Sequence, residues 1–206
     1  MSSGAIVYVV DDDLSVRKAT ARLFRTAGFN VESFRSADEF LEYPASDLPG
    51  CLILDLEMPG RSGIELQKEL ASRQIGLPIV FMTGHADVPT TVTAMKQGAI
   101  DFLPKPVEDD RLIATVTRAI ENYSAELIQQ SDVREFRGRV ALLTRREREV
   151  MMLVIEGLLN KQIAARLGVT EATVKVHRGR VMEKTEVESV AELVRLCERG
   201  GVTATD

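Results

Sequence analysis

The stretch that most constrains this chain is CLILDLEMPG, residues 51–60. Residues 51–54 are a continuous apolar run, the pattern of a strand buried on both faces, and such strands belong to parallel sheets flanked by helices. The run stops at Asp55, and Pro59 and Gly60 turn the chain away. In open α/β sheets chemistry sits beyond the carboxyl ends of the strands. Asp55 holds such a position, which makes it the candidate reactive centre.

The neighbouring sequence repeats this design. AIVYVV at 5–10 is a β-rich run that ends on Asp11, Asp12 and Asp13. Helical spacing follows through Val16, Ala19, Leu23 and Phe24, and Gly28 suits a left-handed C-cap. A second strand is predicted over 31–34, and Ser36 caps a helix carrying Phe40 and Leu41. A helix over 63–73 follows the central strand. A fourth strand at 78–83, a helix at 88–97 closed by Gly98 and a fifth strand at 100–103 come next. Lys105 and Pro106 then lead into a helix starting near Glu108. Five strands alternating with five helices through short links predict an α/β fold, a five-stranded parallel doubly wound sheet. Four strand ends, marked by Asp11/Asp12, Asp55, Thr83 and Lys105, then converge on one rim.

Carboxylates gathered at one rim repel unless a cation intervenes. Mg2+ is the natural cation, being hard and oxygen-liganded and usually held by one or two carboxylates with phosphate and water. A carboxylate nucleophile beside that ion, a lysine and a hydroxyl donor makes a phosphoryl-acceptor site.

These residues carry a resemblance. VVDDD, LILDLEMPG, IVFMTG and DFLPKP, in this order across residues 5–121, resemble the receiver domain of bacterial two-component response regulators. The resemblance implies a flavodoxin-like fold, with Asp11 and Asp12 as the metal-binding acid pair and Asp55 as phosphoacceptor and metal ligand. It makes the backbone carbonyl of Glu57 a further metal ligand and Thr83 and Lys105 the phosphoryl-sensing pair. It also implies a cis peptide before Pro106 and places Phe102 at the aromatic switch position, although a core or interface aromatic explains Phe102 equally well. Asp13 reads as a helix cap. Glu57 and His85, two residues past Asp55 and Thr83, either tune the lifetime of the phosphoryl group or are surface residues.

Residues 122–142 contain no proline and no glycine before Gly138, and their composition favours helix. Their apolar positions are too sparse for a buried face. An exposed helical linker ending near Gly138 is expected, a flexible one being the alternative. The expected division is a receiver at 1–121, the linker at 122–142 and a second domain at 143–206.

In that last part Thr144 and Glu147 form a capping box. A helix follows with Val150, Leu153, Val154 and Ile155 apolar and Gly157 at its end. Asn160 is expected to cap a short helix over 161–167, Gly168 and Val169 to turn, Thr170 to cap a helix reaching Lys184, and residues 190–197 to form the last helix. Charge follows the division: residues 1–121 hold 12 Lys/Arg against 18 Asp/Glu, residues 122–206 hold 14 against 13. Residues 160–184 alone carry six basic and two acidic groups, which fits a polyanionic partner. Two short helices around a glycine turn, the second basic, make a helix-turn-helix.

With Val174 and Val181 inward, Ala172, Val176, Gly179 and Arg180 face outward, flanked by Thr173 and Lys175. Arg178 lies nearer the buried face. His177 is intermediate, meeting a phosphate or simply packing. Lys161 suits a DNA-backbone contact. The DNA-binding candidates are thus Lys161, Thr170, Thr173, Lys175, Val176, His177, Gly179 and Arg180. This part resembles the four-helix LuxR-type DNA-binding domain, and the whole chain the NarL/FixJ class of response regulators, nearest the FixJ branch. In that class the positions of Lys175, Val176 and Gly179 approach base edges. Gly179 departs from the long basic side chain found there in some members.

The resemblance implies a phosphorylation-controlled transcription regulator, not an enzyme. Its partners would be a sensor histidine kinase, double-stranded promoter DNA, a second copy across the face near residues 87–120, and RNA polymerase. Two other classes are weaker. A phosphatase of the haloacid dehalogenase type wants an acidic Asp where Glu57 stands. A constitutive DNA-binding protein would leave the intact reactive residues without a use. Two cysteines without metal spacing, no membrane-length apolar run and no signal pattern fit a cytoplasmic protein.

Overall fold

The apolar strands pair in parallel, so each must be covered on both faces, and the helices between them supply that cover. The computed structural model describes residues 4–44, 46, 48–84 and 88–202. His85 and Asp87, named above for phosphoryl lifetime and for the association face, lie outside them.

In chain order the elements are β1 (Ile6–Val10), α1 (Leu14–Thr26), β2 (Asn30–Phe34), α2 (Ala37–Glu42), β3 (Gly50–Leu54), α3 (Gly63–Ser72), β4 (Ile79–Thr83), α4 (Val88–Lys96) and β5 (Asp101–Pro104). They are followed by α5 (Asp109–Ala141), α6 (Arg145–Ile155), α7 (Asn160–Leu167), α8 (Glu171–Thr185) and α9 (Val190–Gly200). The sheet is entirely parallel in the order β2-β1-β3-β4-β5. That is the doubly wound flavodoxin-like order, whose switch point falls between β1 and β3.

Strand alternation sorts the receiver core into two layers. Val7, Val9, Cys51, Ile53, Val80 and Met82 pack with Phe24, Leu112 and Val116 on one side. Ile6, Tyr8, Val10, Leu52, Leu54 and Phe81 pack with Phe34, Phe40, Leu66 and Leu70 on the other. Cys51 belongs to the first layer, where burial pushes its thiol up to about 12, out of reach of thiolate chemistry.

The chain divides into the units Met1–Leu127 and Ile128–Asp206. Residues 128–141 are helical and mostly exposed, as expected from sequence, but not wholly so. They remain helical through Gly138, and Phe136 and Val140 are buried in the second unit's core with Val150, Met151, Ile163, Val174 and Leu193. Two apolar residues four apart suffice to make a contact stripe when the partner helices are this apolar. Sparseness was therefore a fair guide to most of the segment but not to these two positions. Helices α6 to α9 complete that unit, which is wholly helical among the described residues. No described helix is long and apolar enough to cross a membrane.

One helix cap also differs from expectation. Asn160 is the first residue of α7, and the N-cap is Leu159, whose backbone N–H donates to Gln162 Oε1 at 2.7 Å. Asn160 Oδ1 instead accepts from Arg178 Nη1 at 3.0 Å, tying α7 to α8.

Candidate functional site

The carboxyl ends of the strands bring the first set of candidates together. Asp11 follows β1, Asp55 follows β3, Thr83 ends β4 and Lys105 follows β5. Backbone bonds fix these ends: Asp55 N–H donates to Val10 O at 2.8 Å, and Lys105 N–H donates to Thr83 O at 2.7 Å. Carboxylate oxygens of Asp11, Asp12 and Asp55 lie within 4.8 Å of one another. Asp11 and Asp55 are buried and Asp12 is exposed, so the cluster opens to solvent on one side.

Lys105 closes the other side. Its Nζ donates to Asp11 Oδ2 at 2.7 Å and to Asp55 Oδ2 at 2.9 Å. Burial acts against the Lys105 charge, but the two carboxylates outweigh it and hold the ammonium above the usual lysine range. Asp11 moves upward as well: burial is the largest cause, Asp55 adds to it, and Lys105 only partly offsets it. An all-oxygen carboxylate cluster with one open side matches what a hard divalent cation needs.

The remaining receiver candidates surround this cluster. Thr83 is buried, and Glu57 is exposed. The Lys105–Pro106 peptide is cis. Phe102 is half-buried, its ring centroid 6.0 Å from that of Phe81. Asp13 is the N-cap of α1, accepting from the N–H groups of Ser15 and Val16.

Two supporting residues escaped the sequence reading. Arg17 Nη1 donates to the carbonyl oxygens of Asp11 at 2.6 Å and Asp12 at 3.2 Å, pinning the loop that carries both acids. Gly63, the first residue of α3, faces the backbone of the central Asp. A Cβ there would be driven into Asp55 O and would lie 3.0 Å from the Phe81 ring. Only glycine lets α3 start this close to the reactive strand end. The motif spacing held a clue, since Gly63 follows Asp55 by eight residues in a turn-rich segment, but the need for it is tertiary.

The second set of candidates lies on α7 and α8. Lys161, Thr170, Lys175, Val176, Gly179 and Arg180 are exposed, while Thr173 and His177 are half-buried. The Thr170 hydroxyl accepts from Thr173 N–H at 3.2 Å and lies 2.9 Å from the Thr173 hydroxyl, so both are engaged in the cap. Val174 and Val181 face the core. A Cβ on Gly179 would meet nothing within 4 Å, so no internal contact demands glycine there.

A polar frame sets these helices, of which the sequence indicated only the Thr144–Glu147 capping box. Arg146 Nη2 donates to Leu167 O at 2.7 Å, capping the end of α7. Glu147 is buried at the start of α6, where Oε2 accepts from Lys184 Nζ of α8 at 2.7 Å and from Thr144 N–H at 2.9 Å.

Comparison with known proteins matches both sites to families. Residues 7–117 match the response regulator receiver domain, and residues 141–197 match the bacterial regulatory proteins of the luxR family. Nodulation protein W of Bradyrhizobium diazoefficiens is 46% identical over 203 residues, covering 98% of this chain and 89% of that protein. Transcriptional regulatory protein FixJ of the same species is 43% identical over 202 residues, covering 98% of each. Among solved structures, response regulator StyR aligns with a TM-score of 0.83 at 47% identity, covering 95% of this chain and 99% of that one.

Proposed function

The chain belongs to the response regulators that join a receiver to a LuxR-type DNA-binding domain, and from that premise we propose that phosphorylation of Asp55 by a sensor histidine kinase controls its self-association and promoter binding. The observation that carries this reading is the buried Asp55 carboxylate, joined by Lys105 to a second buried acid at the strand ends. In the proposed reaction an Asp55 carboxylate oxygen attacks the phosphorus of a phosphohistidine. The new O–P bond forms as the P–N bond breaks, and the imidazole leaves with the kinase. Lys105 stays charged and turns its ammonium from the carboxylates toward the phosphoryl oxygens. The Thr83 hydroxyl donates a hydrogen bond to the product, and Phe102 repacks against the end of β4 as Thr83 moves.

Asp11, Asp12 and Asp55, with the Glu57 backbone carbonyl, are the residues that would hold Mg2+. The ion would neutralise charge on the carboxylates and the transferred group. Asp55 carries the phosphoryl group as a signal, so the chain is a regulator and not a turnover phosphatase.

Val88, Val92 and Met95 leave apolar side chains exposed on α4, which supports association of two receivers across the face that includes α4. Two DNA-binding units then occupy neighbouring half-sites. Lys175, Val176, Gly179 and Arg180 meet the groove, and Lys161 and His177 meet the sugar-phosphate backbone. The setting is the cytoplasm, with RNA polymerase as the downstream partner.

The test is solution mass in Mg2+ with and without beryllofluoride, a phosphoryl mimic. Wild type is expected to pass from monomer to dimer and Asp55→Asn to remain monomeric. Wild type that binds the mimic without changing mass would overturn association as the output. At the DNA face, Gly179→Ala is expected to stabilise α8 by about 0.5–1 kcal/mol. The same change should weaken promoter binding by about tenfold, because the added methyl intrudes where backbone meets DNA. Unchanged promoter affinity in a gel-shift titration would remove Gly179 from the interface.

A further inference from the structure

Helix α8 carries four basic side chains, Lys175, Arg178, Arg180 and Lys184, and the structure divides them into two pairs. Two are engaged within the DNA-binding unit. Arg178 Nη1 donates to Asn160 Oδ1 of α7 at 3.0 Å, and Lys184 Nζ donates to Glu147 Oε2 of α6 at 2.7 Å. Both are half-buried. Lys175 and Arg180 are exposed and have no side-chain partner among the described residues. The charge that α8 holds ready for an outside polyanion is thus one ammonium and one guanidinium.

These two groups differ in what they can recognise. An ammonium is a compact point charge, satisfied equally by a phosphate or a base edge. A guanidinium is a planar fork, and two of its N–H groups match O6 and N7 of guanine in the major groove. Position adds to this. Val176 and Arg180 stand four residues apart, so they share one face of α8. Gly179 beside them has nothing within 4 Å of where a Cβ would lie, so the Arg180 stem can run outward unobstructed. The other polar groups of the helix offer no second fork. The Thr170 and Thr173 hydroxyls engage each other, and His177 Nδ1 is buried without a partner, which leaves at most Nε2. Val176 offers only apolar contact, and Gly179 has no side chain to read with.

We propose that Arg180 is a specificity-determining residue of this interface, donating two parallel hydrogen bonds to O6 and N7 of one guanine in each half-site. Lys161, exposed on α7 and also without a partner among the described residues, supplies attraction to phosphate that carries no sequence information. The proposal rests on the reading of α8 as the groove-facing helix and deepens it. It shares no residue with the acid cluster, so its failure would leave the proposed phosphoryl chemistry untouched.

The test selects binding sites from a pool of randomised DNA duplexes, using the full chain with Mg2+ and beryllofluoride. The selected duplex and its single-base variants are then titrated. Wild type is expected to enrich sites with a guanine fixed at one position of each half-site. Arg180→Met should lose discrimination at that position by about ten- to a hundredfold and keep the preferences at the other positions. Lys161→Met should instead weaken all duplexes alike and lower the slope of log affinity against log salt by about one. An Arg180→Met chain that keeps the guanine preference would overturn the proposal. So would one that weakens every duplex by the same factor, since Arg180 would then be a phosphate contact. Wild type that enriches no sequence would overturn the reading of α8 as the groove-facing helix, and this proposal with it, an outcome distinct from the other two. Arg180 is exposed and unpartnered, so its replacement should leave the fold intact, which helical circular dichroism checks.

Discussion

Replacing Gly63 with Ala is expected to destabilise the receiver unit by about 3 kcal/mol, the upper end for overpacking. Elsewhere in a helix the same exchange normally stabilises by about 0.5–1 kcal/mol, so the sign itself is diagnostic. The cause is the obstacle that a methyl meets. Asp55 O is backbone and cannot rotate away, and the Phe81 ring and Leu56 Cα close the remaining space at 3.0 and 3.1 Å. Relief requires α3 to withdraw or the end of β3 to shift, and either displaces the phosphoacceptor. A misplacement on the order of 1 Å can cost about a hundredfold in rate, so phosphoryl uptake from a small acyl phosphate should fall by up to about that factor. Thermal melting of the full chain and the rate of Asp55 phosphorylation check the two halves. A variant that melts at or above wild type would sink the idea, and Gly179→Ala, with open space around it, is the control on intrinsic helix propensity.

Glu147→Ala is expected to cost the DNA-binding unit about 3 kcal/mol, the lower end for breaking a buried pair, because Lys184 retains some contact with solvent. The Glu147 carboxylate serves two helices at once, as N3 of the α6 capping box and as the acceptor for Lys184 of α8. Its pKa is held down to about 2, first by the Lys184 hydrogen bond and then by the Thr144 N–H, against the upward push of burial. The unfolded chain protonates this group near its ordinary value of 4.5. The contribution is therefore fully present above about pH 4.5 and fades as pH falls toward about 2. Urea melts followed by helical circular dichroism, at neutral pH and near pH 3, test this. Wild type should lose part of its advantage over Glu147→Gln at the lower pH. A constant difference between them would place the stabilisation in packing and not in charge.

The receiver was legible because its signals are local and redundant. The residues of β1, β3 and β4 are buried throughout, so the apolar runs read directly as strands, and each run stops at a polar residue that marks the same rim. Ser36, Thr144 and Thr170 also cap their helices as their sequence context indicates. Legibility failed where a residue's role depends on a distant partner. Glu147 reads as a cap, but Lys184, which gives it a second role, lies 37 residues away. Asn160 has the chemistry of an N-cap, yet Arg178 from the next helix claims its side chain. Gly63 and Arg17 do not stand out in one dimension, since a close approach and a pair of backbone acceptors exist only after folding.

The long helix α5 carries a consequence for modular exchange. Phe136 and Val140 are each 1% exposed and belong to the core that also contains Val150, Met151 and Leu193. A hybrid regulator that takes its receiver from a relative and joins it after residue 142 would import foreign side chains at those two positions, so a native DNA-binding core would face a mismatched wall. Splicing between Leu127 and Ile128 keeps Phe136 and Val140 with the core they belong to. Sequence drift in the later turns of α5 should accordingly track α6 and α9, and not the strands of the receiver. To lineage comparison, the helix would look like two inheritances fused end to end.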